Sequence, residues 1–103
     1  MFPDMFFELV YSYIVFQHLP RHMVRSYIDD ATRVLKPQGQ LIFQVQTRTT
    51  VQEVDPPDND FRSIRYYTPN QARALVGAHL TVTETRGDDN SHNYFVHAVK
   101  NLP

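Results

Sequence analysis

The sequence contains no cysteine, no tryptophan and only three glycines among its 103 residues. Without cysteine it forms neither disulfides nor thiolate metal sites, and we take the cytoplasm as the expected location. The formal net charge is −1 at pH 7, and neither sign of charge forms a long run. The chain therefore lacks the basic patch that is typical of proteins binding nucleic acids or anionic membranes.

Long apolar segments are also missing, because no stretch approaches the ~20 apolar residues of a membrane-spanning helix. Residues 1–8 contain two acidic side chains and no basic one, so they do not resemble a signal peptide. Apolar residues make up 42% and charged residues 20% of the sequence. This composition predicts a single small globular domain over residues 1–103.

The first half of the chain predicts a strand, a helix and a second strand. Residues 7–14 are almost continuously apolar, which indicates a strand buried on both faces. Residues 21–36 carry apolar side chains at intervals of three and four, as in an amphipathic helix. Residues 36–39 (Lys-Pro-Gln-Gly) are expected to stop that helix, with Gly39 free to adopt a positive φ. Residues 40–47 then form a strand, and the order predicts a parallel unit with a right-handed crossover.

The second half predicts a long loop, a helix and a hairpin. Residues 48–65 have no period and many turn formers, as in loops that cover a site. Thr68 and Gln71 have the spacing of a capping box, with Pro69 at the first helical position. Alternating residues at 80–85 and at Tyr94–Lys100, separated by turn formers, predict an antiparallel hairpin.

Four segments resemble, in the same order, parts of the class I S-adenosylmethionine-dependent methyltransferases. FELVYSYIVFQHLP (7–20) resembles the family's fourth strand and the following loop, and RVLKPQGQLIF (33–43) resembles a helix end, a turn and the fifth strand. RYYTPNQARAL (65–75) resembles the next helix, and YFVHAVK (94–100) the closing antiparallel strand. The most specific stretch is Arg-Val-Leu-Lys-Pro-x-Gly. The resemblance implies an α/β fold, the C-terminal half of a Rossmann-like methyltransferase sheet, with S-adenosyl-L-methionine as methyl donor.

The family's glycine-rich turn has no counterpart in this sequence. Gly39, Gly77 and Gly87 are not spaced as G-x-G-x-x-G, and only six residues precede the first predicted strand. We therefore expect a partial domain that lacks the N-terminal, donor-binding half. The family's sheet order then leaves residues 7–14 without one neighbouring strand, and an open apolar edge favours pairing with another chain.

Ligands of open α/β sheets bind beyond the carboxyl ends of the parallel strands. By the resemblance, Ser12, Tyr13 and Ile14 line the methionine end of the donor, while Gln17 and His18 face donor or acceptor. Methyl transfer mainly requires alignment of the acceptor and removal of a proton. Since neutral imidazole is available near pH 7, His18 is the candidate catalytic base.

Thr47 and Arg48, which follow the second strand, and the pair Tyr66 and Tyr67 are candidates for contacting the acceptor. Simpler roles remain open for several candidates. His18 would brace the following helix, Gln17 would bond local backbone, and the tyrosines would pack in the core.

No metal site is expected. His18 and His22 are four residues apart, but Pro20 lies between them and no glutamate has the required spacing. Three aspartates, Asp55, Asp58 and Asp60, indicate a solvated acidic loop. His92 and His97 lie on the predicted hairpin without an evident role.

The preferred hypothesis is a methyltransferase domain acting on a small-molecule acceptor, incomplete in these residues and inactive alone. The alternative is a non-catalytic half-domain that pairs through residues 7–14, as a dimer or with another protein. A third is a truncated reading frame without a selected function. The sequence names neither the acceptor nor the atom methylated.

Overall fold

A parallel β-α-β unit begins the fold of the computed structural model, which describes residues 4–50 and 54–102. Strand β1 (Phe7–Ser12) leads through a 3-10 turn at Phe16–His18 into helix α1 (Arg21–Val34). Strand β2 (Leu35–Thr47) runs parallel to β1, which confirms the predicted pairing. The side chains that α1 buries follow its apolar stripe: Val24, Ile28, Ala31 and Val34.

The rest of the sheet combines a short parallel strand with an antiparallel hairpin. A two-residue strand β3 (Tyr66–Tyr67) lies beside the end of β2, and helix α2 (Pro69–Ala74) follows it. Strands β4 (Leu80–Arg86) and β5 (Tyr94–Lys100) form the predicted hairpin, and β5 also pairs with β2. The strand order is β1-β2-β5-β4. The predicted α/β class and half-sheet topology are confirmed.

The core lies on the face of the sheet that both helices cover. Its centre combines side chains from β2 and β5 with those of the helices: Leu41, Phe43, Val45, Val96, Ala98, Ile28 and Ala72. The opposite face is open at β1, where Leu9 and Tyr11 are 53% and 56% exposed. The prediction that the first strand is buried on both faces is therefore wrong, because Leu9 and Tyr11 project from the face that the helices do not cover.

The end of β1 also differs from the prediction. The strand stops at Ser12 rather than at residue 14, and Ile14 has a φ of +67°. A β-branched residue rarely adopts this conformation, because its side chain crowds the backbone. The apolar run of the sequence continues through this break, so the break was not visible from composition.

The connection between α1 and β2 is tighter than predicted. Helix α1 ends at Val34 and β2 begins at Leu35, so the predicted stop at residues 36–39 lies inside the strand as an irregularity in its pairing with β1. Gln38, not Gly39, has the positive φ, of +65°. Gly39 is required for another reason. A Cβ atom there would lie 2.8 Å from the carbonyl oxygen of Lys36 and 3.2 Å from that of Phe7.

The capping box that begins α2 is confirmed. The Gln71 amide donates to the Thr68 hydroxyl, and the Thr68 amide donates to the Gln71 side chain. Pro69 occupies the first turn, where its missing N–H costs nothing. Within the described part of residues 48–65 there is no helix or strand. The short strand β3 that follows this loop was not predicted.

Candidate active site

The candidate site lies beyond the carboxyl ends of β1 and β2. The last pair between the two strands joins Ser12 to Phe43. After this pair, the Ile14 amide donates to the side-chain oxygen of Gln44 at 2.9 Å instead of to main chain. Since the side chain of Gln44 holds Ile14 at its positive φ, it fixes the direction in which the chain leaves β1. Sequence reasoning placed no functional residue at Gln44.

Gln44 is the centre of a buried polar network. Its side chain is 1% exposed, although it projects from the more open face of the sheet. Besides accepting from Ile14, it donates to Oε1 of Gln17 at 2.9 Å and to the carbonyl oxygen of His92 at 2.8 Å. The network therefore ties the segment after β1 to the connection between β4 and β5.

A stacked aromatic pair explains the burial of Gln44. Tyr13 and Phe95 stack with ring centroids 5.8 Å apart and an interplanar angle of 13°. Tyr13 follows β1 and Phe95 lies on β5, so the pair spans β2 from one neighbouring strand to the other. Phe95 is also the register partner of Gln44. Shielding from water strengthens the hydrogen bonds beneath the rings and makes their loss costly.

His18 closes the network at the end of the 3-10 turn. Its Nε2 lies 3.2 Å from Nε2 of Gln17, and its Nδ1 is buried without a hydrogen-bond partner among the described residues. The Gln17 side chain thus bonds to the side chains of Gln44 and His18 rather than to local backbone. The donor- or acceptor-contacting role of Gln17 and the catalytic role of His18 stay predictions.

Arg65, which is 1% exposed, holds the 3-10 turn at Phe16–His18 through two of its carbonyl oxygens. Its main-chain amide donates to the Gln17 carbonyl oxygen at 2.8 Å, and its guanidinium donates to the His18 carbonyl oxygen at 2.7 Å. The same guanidinium donates to the carbonyl oxygens of Asp60 and Pro57. No pattern in the sequence marked this arginine, since surface loops normally carry such residues.

A second arginine, Arg21, holds the loop over residues 48–65 at Asp55. Arg21, in the first turn of α1, donates from two nitrogens to the carboxylate of Asp55 and also to the carbonyl oxygen of Tyr66. Its guanidinium lies 4.3 Å above the ring of Tyr67. Burial raises the pKa of the Tyr67 hydroxyl, which has no hydrogen-bond partner in the described residues. Of the two predicted acceptor-contacting tyrosines, Tyr67 therefore packs in the core.

Tyr66 lies instead at a small cavity of about 200 Å³ beyond the end of β2. Arg48 stacks on the Tyr66 ring at 3.9 Å and donates to its hydroxyl. The floor of the cavity is rigid, because Thr47 and Ser91 exchange main-chain hydrogen bonds. Thr47, Arg48 and Tyr66 are thus brought together, and Ser12, Tyr13 and Ile14 lie at the end of the adjacent strand.

The loop aspartates have local partners. Asp55 pairs with Arg21, whereas the Asp60 carboxylate accepts from Ser63 and from the Arg62 amide. The hydrogen bonds from Ser63 and Arg62 lower the pKa of Asp60 to about 2. Over residues 4–50 and 54–102, no group of three potential metal ligands was found.

Comparisons with known proteins relate this arrangement to methyltransferases. The sequence model of a family described as "Methyltransferase domain" matches residues 1–43. No curated protein matches the chain. Its fold is similar to an S-adenosylmethionine-dependent methyltransferase from Methanosarcina mazei, at 15% identity and a TM-score of 0.62, covering 99% of this chain and 63% of that one. A second, from Mesorhizobium loti, has 12% identity and a TM-score of 0.62, with 96% and 64% covered.

A third similar structure is a "possible exported protein" from Bordetella parapertussis, at 18% identity and a TM-score of 0.75, with 98% of this chain and 41% of that chain covered. The described chain thus spans from two fifths to two thirds of the lengths of these three neighbours. None of its described helices is long and apolar enough to cross a membrane. At these identities, the structural similarity establishes the fold.

Proposed function

Because the chain has the class I methyltransferase-like fold, we propose that it contributes the acceptor-side half of an S-adenosylmethionine-dependent methyltransferase. The observation that carries this proposal is the strand order β1-β2-β5-β4, in which two parallel strands end side by side at one edge. The family match over residues 1–43 includes β1, α1 and the first part of β2. The proposed reaction is methyl transfer to a small-molecule acceptor, in a cytoplasmic protein.

The donor would lie against the residues that follow β1. Tyr13 and Ile14 are exposed there, and Ser12 is half-buried at the strand end. These residues fit one side of a ligand with an apolar and a polar end, since the Ile14 backbone is fixed by Gln44 and the Tyr13 ring by Phe95. When bound, S-adenosylmethionine supplies a methyl group already activated by its sulfonium.

The remaining donor contacts would come from residues outside these 103, in the same polypeptide or in another chain. We propose this because the G-x-G-x-x-G spacing is absent from the sequence. The three compared structures are also longer than the stretch that this chain covers. Residues 1–103 alone are accordingly proposed to be inactive.

On the acceptor side, Thr47, Arg48 and Tyr66 line the cavity next to the donor position. Arg48 and the Tyr66 hydroxyl provide hydrogen-bond donors that orient an acceptor, and methyl transfer mainly requires such alignment from the protein. His18 is the proposed proton acceptor. To act as a base, its Nε2 must leave the side-chain amide of Gln17 and contact the acceptor instead, because Nδ1 is buried.

Isothermal titration calorimetry with S-adenosylmethionine tests whether the main donor contacts come from residues outside these 103. We expect no heat of binding at micromolar concentrations from residues 1–103 alone, since only one side of the donor finds contacts. Micromolar affinity of the isolated chain would contradict the proposal that the main donor-binding elements lie elsewhere.

The exposed edge of β1 favours a second candidate function, in which the half-domain pairs through this strand. In an antiparallel pair of two copies centred on Val10, Leu9 of one copy lies opposite Tyr11 of the other. This register places the two most exposed apolar side chains of β1 in contact across the edge. Light scattering is expected to show a dimer that Leu9→Lys dissociates. A well-behaved monomer of the unaltered chain would rule out self-pairing.

A further inference from the structure

The guanidinium of Arg65 is a buried cation held entirely by main-chain oxygens. It donates to the carbonyl oxygens of His18, Asp60 and Pro57 at 2.5 to 2.7 Å, and more weakly to that of Pro56 at 3.4 Å. No carboxylate forms an ion pair with it within the described ranges. Its Nε is buried without a hydrogen-bond partner among the described residues. Because a buried charge is costly unless hydrogen bonds compensate it, the carbonyl oxygens must stay in place while the arginine stays buried.

These oxygens belong to two separate segments. One is the 3-10 turn that carries Gln17 and His18, and the other is the loop over residues 56–60. The amide of Arg65 itself adds a third link, to the Gln17 carbonyl oxygen. A guanidinium suits this task because its donors point in fixed directions within one plane, whereas an ammonium is a compact charge on a flexible stem.

We propose that Arg65 is a positioning residue that joins the loop over 56–60 to the turn carrying His18, so that loop and imidazole form one mechanical unit. The loop is then a fixed wall of the site rather than a mobile lid. The proposal rests on the proposed function only for the role of His18 in proton transfer. The coupling itself is a property of the folded chain and is measured without methyl donor or acceptor.

The contacts of Arg21 on both sides of this segment support the proposal. Arg21 donates to the carboxylate of Asp55, just before residues 56–60, and to the carbonyl oxygen of Tyr66, just after Arg65. Arg21 is half-buried, and its ion pair is exposed to screening by salt. Arg65 is fully buried, so its contacts are the ones expected to persist at high salt.

The test compares Arg65→Lys with Arg62→Lys by nuclear magnetic resonance on the full 103-residue chain. Arg62 is an exposed arginine three residues before Arg65. Its replacement by lysine therefore makes the same chemical change without removing any hydrogen bond of the Arg65 guanidinium. In Arg65→Lys we expect the Asp60 amide, which donates to the Pro57 carbonyl oxygen, to exchange at least about tenfold faster. We also expect the ring signals of His18 to shift, with amides in the β2–β5 pairing unchanged. Arg62→Lys is expected to change neither region.

A loop that loosens while the His18 ring signals stay in place would overturn the coupling, and so would an unchanged loop. Should Arg65→Lys fail to fold, the unaltered chain provides the test. The amides of His18, Asp60 and Arg65, which donate to Val15, Pro57 and Gln17, are expected to exchange with hydrogen-bond protection of one common magnitude. Protection factors that differ by more than tenfold would show independent segments and refute the proposal. Failure of donor binding, by contrast, would affect only the proposed function.

Discussion

Replacement of Gln44 by leucine removes the side chain that joins the end of β1, the 3-10 turn and the connection between β4 and β5. Leucine has a similar volume, so the change creates no large cavity. It leaves three groups without partners: the Ile14 amide, Oε1 of Gln17 and the His92 carbonyl oxygen. At about 1 kcal/mol for each orphaned group, the free energy of unfolding should fall by about 3 kcal/mol.

This loss is large for a chain of this size. With a shift of roughly 4–8 °C per kcal/mol, the midpoint of thermal unfolding should fall by about 12–24 °C. Gln40→Leu is the matched control, because Gln40 lies on the same face of β2 but is exposed. Its effect should stay within about 0.5 kcal/mol.

Chemical denaturation of the two variants, followed by circular dichroism, measures both values. A loss below about 1 kcal/mol for Gln44→Leu, or one equal to that of the control, would refute the reasoning. It would mean that the network does not hold the site in solution.

Three further predictions concern the scaffold and its loop. Gly39→Ala should cost about 2–3 kcal/mol by denaturation, because its Cβ meets main-chain oxygen. Gly77→Ala should cost about 1 kcal/mol, as its φ is +74° but the surrounding space is open; equal losses would contradict the close-approach argument. Thr68→Ala should cost about 1 kcal/mol through loss of the capping box, and Thr68→Ser should restore most of it. The Asp60 carboxyl should titrate at about 2 rather than at its ordinary 3.8. Since the folded pKa is lowered, its contribution to stability is present above pH 3.8 and is lost as the pH falls toward 2, a loss that Asp60→Asn should abolish; a carbon-13 titration midpoint near 3.8 would contradict it.

The sequence predicted the elements whose signals are local. The Thr68 capping box and the alternation over Tyr94–Lys100 depend on neighbouring residues, and both elements begin where expected. The order of the elements, together with the resemblance, was sufficient for the parallel unit and the hairpin.

The errors concern features that depend on distant contacts. The apolar run over residues 7–14 gave no sign that Ile14 would leave the strand, because its conformation is held by Gln44, thirty residues away. Burial of β1 was overestimated because an apolar run has the same composition whether one face or both faces of the strand are covered. Gly39 was expected at a positive φ, whereas it is a site of close approach.

The sequence predicted which strand ends lie side by side, but not the side chains that organise the segments after them. Ser12–Phe43 pairing confirms that the segments after β1 and β2 lie side by side. The residues that organise them, Gln44 and Arg65, carried no signal, since a glutamine in an alternating strand and an arginine in a loop are ordinarily solvated. Their roles arise from burial, which tertiary packing decides.

The proposed donor site at the edge beyond β1 is probed by titrating S-adenosylhomocysteine, the demethylated donor, into the labelled chain and mapping the shifts of the amide signals. We expect weak, millimolar binding with shifts concentrated at residues 12–17. Shifts concentrated elsewhere, or none at millimolar concentrations, would contradict it.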